Sequence, residues 1–180
     1  MEEINQSSTI VYLSLGSNQG ERLEYLQQAK DLIQQKTGEI IAVSGVCETP
    51  PVGFEAETYF YNLCLSVRTN LAPLEILEQL KEIENLLGRQ KKTILNENGE
   101  RIYSSRVIDI DIILHGDLIL ESTILSIPHP RFRDRNFVLI PLNEIASQIV
   151  DPVTNQTINE LLLNCESNVG DIRFLTSVIR

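Results

Sequence analysis

An α+β domain built on a split βαβ order is the fold class this sequence predicts. Two observations carry it. Apolar runs rich in β-branched residues recur at 10–15, 40–47, 63–68 and 106–114. Stretches with helical spacing, 21–36 and 71–87, follow the first and third of them. The order is therefore strand–helix–strand–strand–helix–strand.

The first strand, Ile10-Val11-Tyr12-Leu13-Ser14-Leu15, stops at the turn-rich Gly16-Ser17-Asn18-Gln19-Gly20. A strand, a Gly turn and a helix can cradle phosphate on backbone N–H groups. The chain has neither GxGxxG nor GK[ST] here, so ordinary punctuation is the simpler reading. Helix 21–36 sets Leu23, Leu26, Ala29 and Ile33 on one stripe and ends at Gly38. The second strand runs from Ile40 to about Cys47. After it, the prolines of Glu48-Thr49-Pro50-Pro51-Val52-Gly53-Phe54 hold the chain extended. Tyr59-Phe60-Tyr61-Asn62 leads into the third strand, an aromatic start that suits either core or a stacked heterocycle.

Helix 71–87 has Leu74, Leu77, Leu80, Ile83, Leu86 and Leu87 as its stripe, Pro73 in its first turn and Gly88 as its stop. Residues 90–105 read as a long polar loop turning at Asn96-Glu97-Asn98-Gly99, a length often used for a lid. Past the fourth strand come a turn at His115-Gly116-Asp117, a return strand at 118–120 and short helices at 138–146 and 158–163. Residues 166–180 receive no element.

The fourth strand, Arg106-Val107-Ile108-Asp109-Ile110-Asp111-Ile112-Ile113-Leu114, carries the chemistry. Alternation puts Asp109 and Asp111 on one face, and Ile108, Ile110, Ile112 and Leu114 on the other. Two carboxylates so placed suit a hard cation such as Mg2+ on a phosphate substrate. An exposed strand face with two solvated acids fits this stretch equally well.

Charge placement bears on that choice. Windows 89–106 and 131–135 hold eight of the 15 basic residues and only Glu97, Glu100 and Asp134 as acids, a net +5. The rest of the chain carries −15 of the total −10. That overall charge speaks against general nucleic-acid binding and against a nuclease. Cations gathered on both sides of an acidic strand suit a compact polyanion instead. Of the two histidines, His115 reads as a solvated turn residue, and His129, between prolines and beside Arg131, Arg133 and Arg135, as the functional one. Cys47, Cys64 and Cys165 lack CxxC spacing, which fits a reducing cytosol rather than a disulfide framework or zinc site. No apolar run nears the roughly 20 residues of a membrane span, and the polar start is no secretory signal.

Ordered motifs then converge. They are Leu15-Gly16-Ser17-Asn18, Thr49-Pro50-Pro51-Val52-Gly53, Phe60-Tyr61-Asn62, Ile83-Glu84 with Gly88-Arg89, Arg106 through Asp111, and Pro128-His129-Pro130-Arg131 through Arg135 to Phe137. Together they resemble the 6-hydroxymethyl-7,8-dihydropterin pyrophosphokinases of folate biosynthesis, over roughly residues 10–163 of a single domain, 1–180. The resemblance implies a ferredoxin-like fold, mainly antiparallel, with helices on one side of the sheet and long catalytic loops. It implies an enzyme that moves pyrophosphate from ATP to the pterin's 6-hydroxymethyl group and leaves AMP; a cytoplasmic location, from the cysteine pattern, and a monomer are expected.

It also implies roles. Asp109 and Asp111 would hold two Mg2+ ions and, with Arg89 and Arg106, form the catalytic set. Thr49, Pro50, Val52, Phe60, Asn62, Tyr103 and Phe137 would bind the pterin. Glu84 would meet the ribose, and Arg89, Lys91, Arg106, His129 and Arg135 the triphosphate. Arg106 would stand in the loop before the strand, where its fork suits phosphate oxygens. The sequence departs from the family pattern where Tyr103-Ser104-Ser105-Arg106 replaces Trp-Gly-Pro-Arg, where Phe60 stands for a frequent Tyr, and where 93–100 reads as an insertion. A nucleotide-sensing domain on the same fold would bind ATP but no pterin.

Overall fold

The computed structural model describes residues 8–51, 58–89, 94–95, 101–102, 105–166 and 172–175. In chain order the elements are β1 (Thr9–Ser17), α1 (Arg22–Lys36), β2 (Glu39–Val43), β3 (Cys47–Thr49), β4 (Phe60–Thr69), α2 (Pro73–Leu86), β5 (Ile94–Leu95), β6 (Arg101–Ile102) and β7 (Asp109–His115). Then follow β8 (Leu120–Glu121), β9 (Ser126–Ile127), a 3-10 turn (Phe132–Asp134), α3 (Asn136–Ala146), α4 (Ile158–Asn164) and β10 (Arg173–Phe174). The sheet runs β10-β3-β4-β1-β7, with β2 beside β3 on the same flank of β4. Every pairing is antiparallel.

β1 is apolar on both faces because both are covered. Val11, Leu13 and Leu15, with Leu63, Leu65 and Val67 of β4, pack on Leu26, Ala29 and Ile33 of α1 and Ile76, Leu80 and Ile83 of α2. Tyr12 and Cys64 point the other way, onto Val138, Leu139 and Leu142 of α3 and Leu161 of α4. The expected one-sided arrangement of helices is thus corrected: α3 and α4 lie on the opposite face from α1 and α2.

Three further expectations change. The α2 stripe is Ile76, Leu80 and Ile83 with Glu84, while Leu74 and Leu86 are 50% and 60% exposed. The second strand breaks after Val43, because Ser44 turns its N–H and hydroxyl to Cys64 before β3 resumes pairing with β4. The stretch read as a polar loop contains the β5–β6 pair.

β7 also departs from strict alternation. Leu13 pairs Ile112 and Tyr12 pairs Leu114, so Ile113 is an extra residue, a β-bulge. The bulge sends Leu114 to the α3 side with Ile113, not to the face of Ile108, Ile110 and Ile112. Asp109 and Asp111 precede it and keep their shared face.

A polar knot fixes the end of the α3 layer. Asp151 has no exposure. Its carboxylate accepts two bonds from Arg133, at 2.7 and 2.8 Å, one from the Thr154 hydroxyl at 2.6 Å and one from the Val153 N–H at 3.2 Å. Burial would raise this carboxyl, but the Arg133 and Thr154 bonds outweigh it and hold it below the usual range. Removing one partner of such a pair leaves the other uncompensated, so Asp151→Ala is expected to cost about 3–5 kcal/mol. Denaturant midpoints at neutral pH measure it. The wild-type advantage should shrink as pH falls below 3.8, where the unfolded carboxyl also takes its proton.

Candidate active site

The site is set by one row across three strands. Gly16 of β1 is opposite Asn62 of β4 on one side and Asp109 of β7 on the other. The next row is Cys64, Ser14, Asp111. Side chains opposite one another share a face. Asn62, Asp109 and Asp111 therefore all stand on the α3 side, with Asn62 and the acids two strand spacings, roughly 10 Å, apart. Gly16 makes room for the Asn62 amide: a Cβ there would lie 2.9 Å from Asn62 Oδ1 and 3.7 Å from Phe60 Cδ1.

On the β4 side of Gly16, Asn62 and Thr49 are buried, and Asn62 Nδ2 donates to Thr49 Oγ1 at 2.8 Å. That bond orients the amide with Oδ1 over Gly16. Phe60 opens β4 opposite Thr49, and Pro50 follows β3, half-buried. Arg22 of α1 braces this corner. Its guanidinium lies 3.6 Å over the Tyr61 ring, donates to Tyr59 O at 2.7 Å and reaches Glu48 at 3.4 Å. Phe137 begins α3, with the Arg135 guanidinium 5.5 Å from its ring centre.

On the β7 side, Asp109 receives Arg89 at 2.8 Å and Arg106 through a shorter contact. Burial, and then Asp109 beside it, push the Asp111 carboxyl well above its ordinary range, against Arg135, Arg106 and Arg89. Arg106 stands before the strand, as expected. Asn18 puts it there: this fully buried side chain accepts from Arg106 N at 2.7 Å and donates to Ser105 Oγ at 3.0 Å, and its own N–H donates to Arg106 O at 3.0 Å. Thr58 Oγ1 donates to Asn18 O at 2.5 Å. Asn18 therefore joins the chain entering β4 to the chain entering β7.

Glu84 is 7% exposed, on the last turn of α2. Its Oε1 accepts the Ile110 N–H at 2.8 Å and also meets the Arg89 guanidinium. Burial pushes its carboxyl up to about 7, against the pull of Arg89. These contacts are to the protein, a different use from the ribose contact that the resemblance implies.

His129 closes the third side. Its N–H donates to Ile113 O at 2.9 Å, and its Nδ1 accepts from Arg131 N at 3.2 Å. Burial, then Arg135 and Arg131, lower its pKa to about 4, so the ring is neutral at pH 7. With Nδ1 accepting, the proton sits on Nε2, free to be donated. Arg133, read with its neighbours as one cationic cluster, is instead committed to Asp151. Val52, Lys91, Lys92 and Tyr103 lie outside the described residues, as does the Arg101 side chain. Sequence reasoning missed Asn18 as more than a turn residue, and also Arg22 and Asp151; a polar residue in a turn shows nothing of its burial.

Among the described residues no three His, Cys, Asp or Glu side chains cluster as a metal cage. The donor set is the Asp109–Asp111 pair. A hard cation fits it: both ligands are carboxylates, and Asp111 is raised partly by its neighbour's charge.

Residues 12–147 match the model of the 7,8-dihydro-6-hydroxymethylpterin-pyrophosphokinase family. A 2-amino-4-hydroxy-6-hydroxymethyldihydropteridine pyrophosphokinase of Bacillus subtilis is 39% identical over 149 residues, 82% of this chain and 84% of the relative. The Porphyromonas gingivalis protein of the same name is 41% identical over 138 residues, 76% of this chain and 90% of that one. Among solved structures, the wild-type Plasmodium falciparum HPPK-DHPS with pterin and p-hydroxybenzoate superposes with a TM-score of 0.69 at 21% identity. That match covers 89% of this chain and 44% of the longer one, and it supports the fold. This chain belongs to the 7,8-dihydro-6-hydroxymethylpterin-pyrophosphokinase family.

Proposed function

We propose that this chain transfers the β,γ-pyrophosphoryl group of ATP to the 6-hydroxymethyl oxygen of 7,8-dihydropterin, releasing AMP, in folate biosynthesis. The observation that carries this reading is the row Asn62, Gly16, Asp109. It gives an amide oxygen, a position without a side chain and a carboxylate in line, a spacing that suits a flat heterocycle whose side-chain hydroxyl reaches a metal-bound phosphate.

Asn62 Oδ1 accepts from the pterin's ring N–H groups, and Thr49 keeps the amide from flipping. Phe60 and Phe137 stack on the ring, with Pro50 and, outside the described residues, Val52 and Tyr103 completing its surround. Arg89, Arg106, Arg135 and the neutral His129 donate to triphosphate oxygens, as does Lys91. Asp109 and Asp111 would hold two Mg2+ ions. When bound, these ions neutralise phosphate charge and bring the acceptor hydroxyl into line with the β-phosphorus. In the transfer the acceptor O–H bond breaks and its proton passes to solvent, an O–Pβ bond forms and the bridging O–Pβ bond breaks, so AMP leaves with the bridging oxygen. Arginine donors aimed at the phosphates are already ordered by Asp109, which limits reorganisation as charge shifts.

The same reading takes 10–163 as the core of a single domain, acting as a monomer in the cytoplasm. Three free thiols, Cys47, Cys64 and Cys165, support that location.

Purified protein with Mg2+, ATP and 6-hydroxymethyl-7,8-dihydropterin is expected to release AMP. ADP as the product, or turnover independent of pterin, would overturn the reading. Asp109→Ala or Asp111→Ala should each lower kcat by at least about 100-fold, measured by AMP release.

Asp111 also makes a stability prediction. Its folded carboxyl is raised, so the wild type loses stability as pH climbs above the unfolded value of 3.8. In metal-free protein, Asp111→Asn should unfold a few degrees higher than wild type at pH 8, and the gain should vanish at pH 3.

Gly16→Ala puts a methyl group 2.9 Å from Asn62 Oδ1. It is expected to weaken pterin binding at least about tenfold while leaving the affinity for a non-hydrolysable ATP analogue within twofold, by calorimetry. Equal weakening of both ligands would show that Gly16 serves the whole fold rather than the pterin site.

A further inference from the structure

We infer that Glu84 is a positioning residue: it holds the Arg89 guanidinium on Asp109 and anchors the outer edge of β7. The inference rests on the reading above, in which Arg89 meets the triphosphate.

Geometry carries it. β7 is the last strand of the sheet, so the N–H groups on its outer side have no strand to receive them. The Ile110 N–H, between the two aspartates in sequence, is given to Glu84 Oε1 at 2.8 Å. The same oxygen meets Arg89 Nη1, and Arg89 Nη1 reaches Asp109 Oδ1 at 2.8 Å. One carboxylate oxygen thus ties the amide of Ile110 to the arginine that touches Asp109.

The local chain enforces this. Gly88 sits at φ +91, where nothing lies within 4 Å of a built Cβ, so the conformation rather than crowding selects glycine. That residue turns the chain back so that Arg89 N donates to Glu84 O at 2.9 Å. The guanidinium then returns along the helix end to its own anchor. The Glu84 side chain is 9% exposed, and its Oε1 has two donors, both from the protein. An arginine is rich in rotamers, and fixing it before substrate arrives removes that ordering cost from the transition state.

Glu84→Gln tests this. The amide keeps the shape and can still accept from Ile110, but it loses the charge that holds Arg89. AMP release is measured with ATP, 2′-deoxy-ATP and 3′-deoxy-ATP, in the wild-type and Arg89→Ala backgrounds. The expected result is a kcat lowered about 10- to 100-fold in the wild-type background and under about threefold in Arg89→Ala. The ratio of kcat/KM for ATP to that for either deoxy analogue should stay within twofold of wild type. Two results would overturn the inference. One is loss of a wild-type preference for ATP over a deoxy analogue, as a ribose ligand requires. The other is a full loss of kcat from Glu84→Gln even without Arg89. Glu84→Asp, which keeps the charge and shortens the reach, is compared in the same way if the glutamine variant fails to fold. Wild-type turnover is measured first; without it, the activity reading fails by itself. Calorimetry of the three nucleotides on the same variants then decides the role of Glu84.

Discussion

The register of β1 against its two neighbours is the constraint on which this site depends. Gly16 must fall opposite both Asn62 and Asp109. A slip of one residue in a strand moves its whole set of side chains to the other face. Here it would carry Leu15 and Leu13 out of the α1–α2 core and set a leucine between the amide and the acid. The register is held because both faces of β1 are buried, so any slip loses apolar burial on two sides. The placement of Asn62 and Asp109 across Gly16 is thereby inherited from core packing.

The electrostatics run against stability. Two carboxylates share a strand face, and burial raises one of them. Arg89 and Arg106 offset this by pairing with Asp109, and Asn18 keeps Arg106 close through the backbone. Cations that would bind phosphate oxygens therefore also make the ligand-free site tolerable. His129 follows the same logic. Buried, and beside Arg135 and Arg131, it stays neutral and offers an N–H donor without adding to the positive charge.

The strand–helix order, the shared face of Asp109 and Asp111 and the helix periods were legible because each rests on spacing within one element. Relations between elements were not. The bulge at Ile113 leaves no mark in Ile112-Ile113-Leu114, since every residue there is apolar whichever face it takes. Leu74 and Leu86 matched a helical stripe, yet the helix is rotated to bury Ile76 and Glu84, which no period predicts for an acid. Asn18 and Asp151 look like turn residues, but each is fully buried by contacts made far along the chain or around a closed loop. The α3–α4 layer was expected on the wrong side because the two-layer reading ignores that β1 and β4 carry apolar residues in successive positions.

β7 being the edge strand has a consequence for chemistry. In a central strand, the outward N–H groups would be spent on a neighbouring strand, and no side chain could take their place. At the edge, Ile110 offers a donor that must be satisfied or left costly. A carboxylate from the end of α2 satisfies it. Because a buried carboxylate needs a cation, the same choice brings in Arg89. Pairing one edge amide with a carboxylate thus also places an arginine beside the acid pair, and the contacts link the end of α2 to β7. An amide or hydroxyl at position 84 would pair the edge equally well but would recruit no cation. A carboxylate at this position meets both needs at once, a partner for the strand edge and a charge for Arg89.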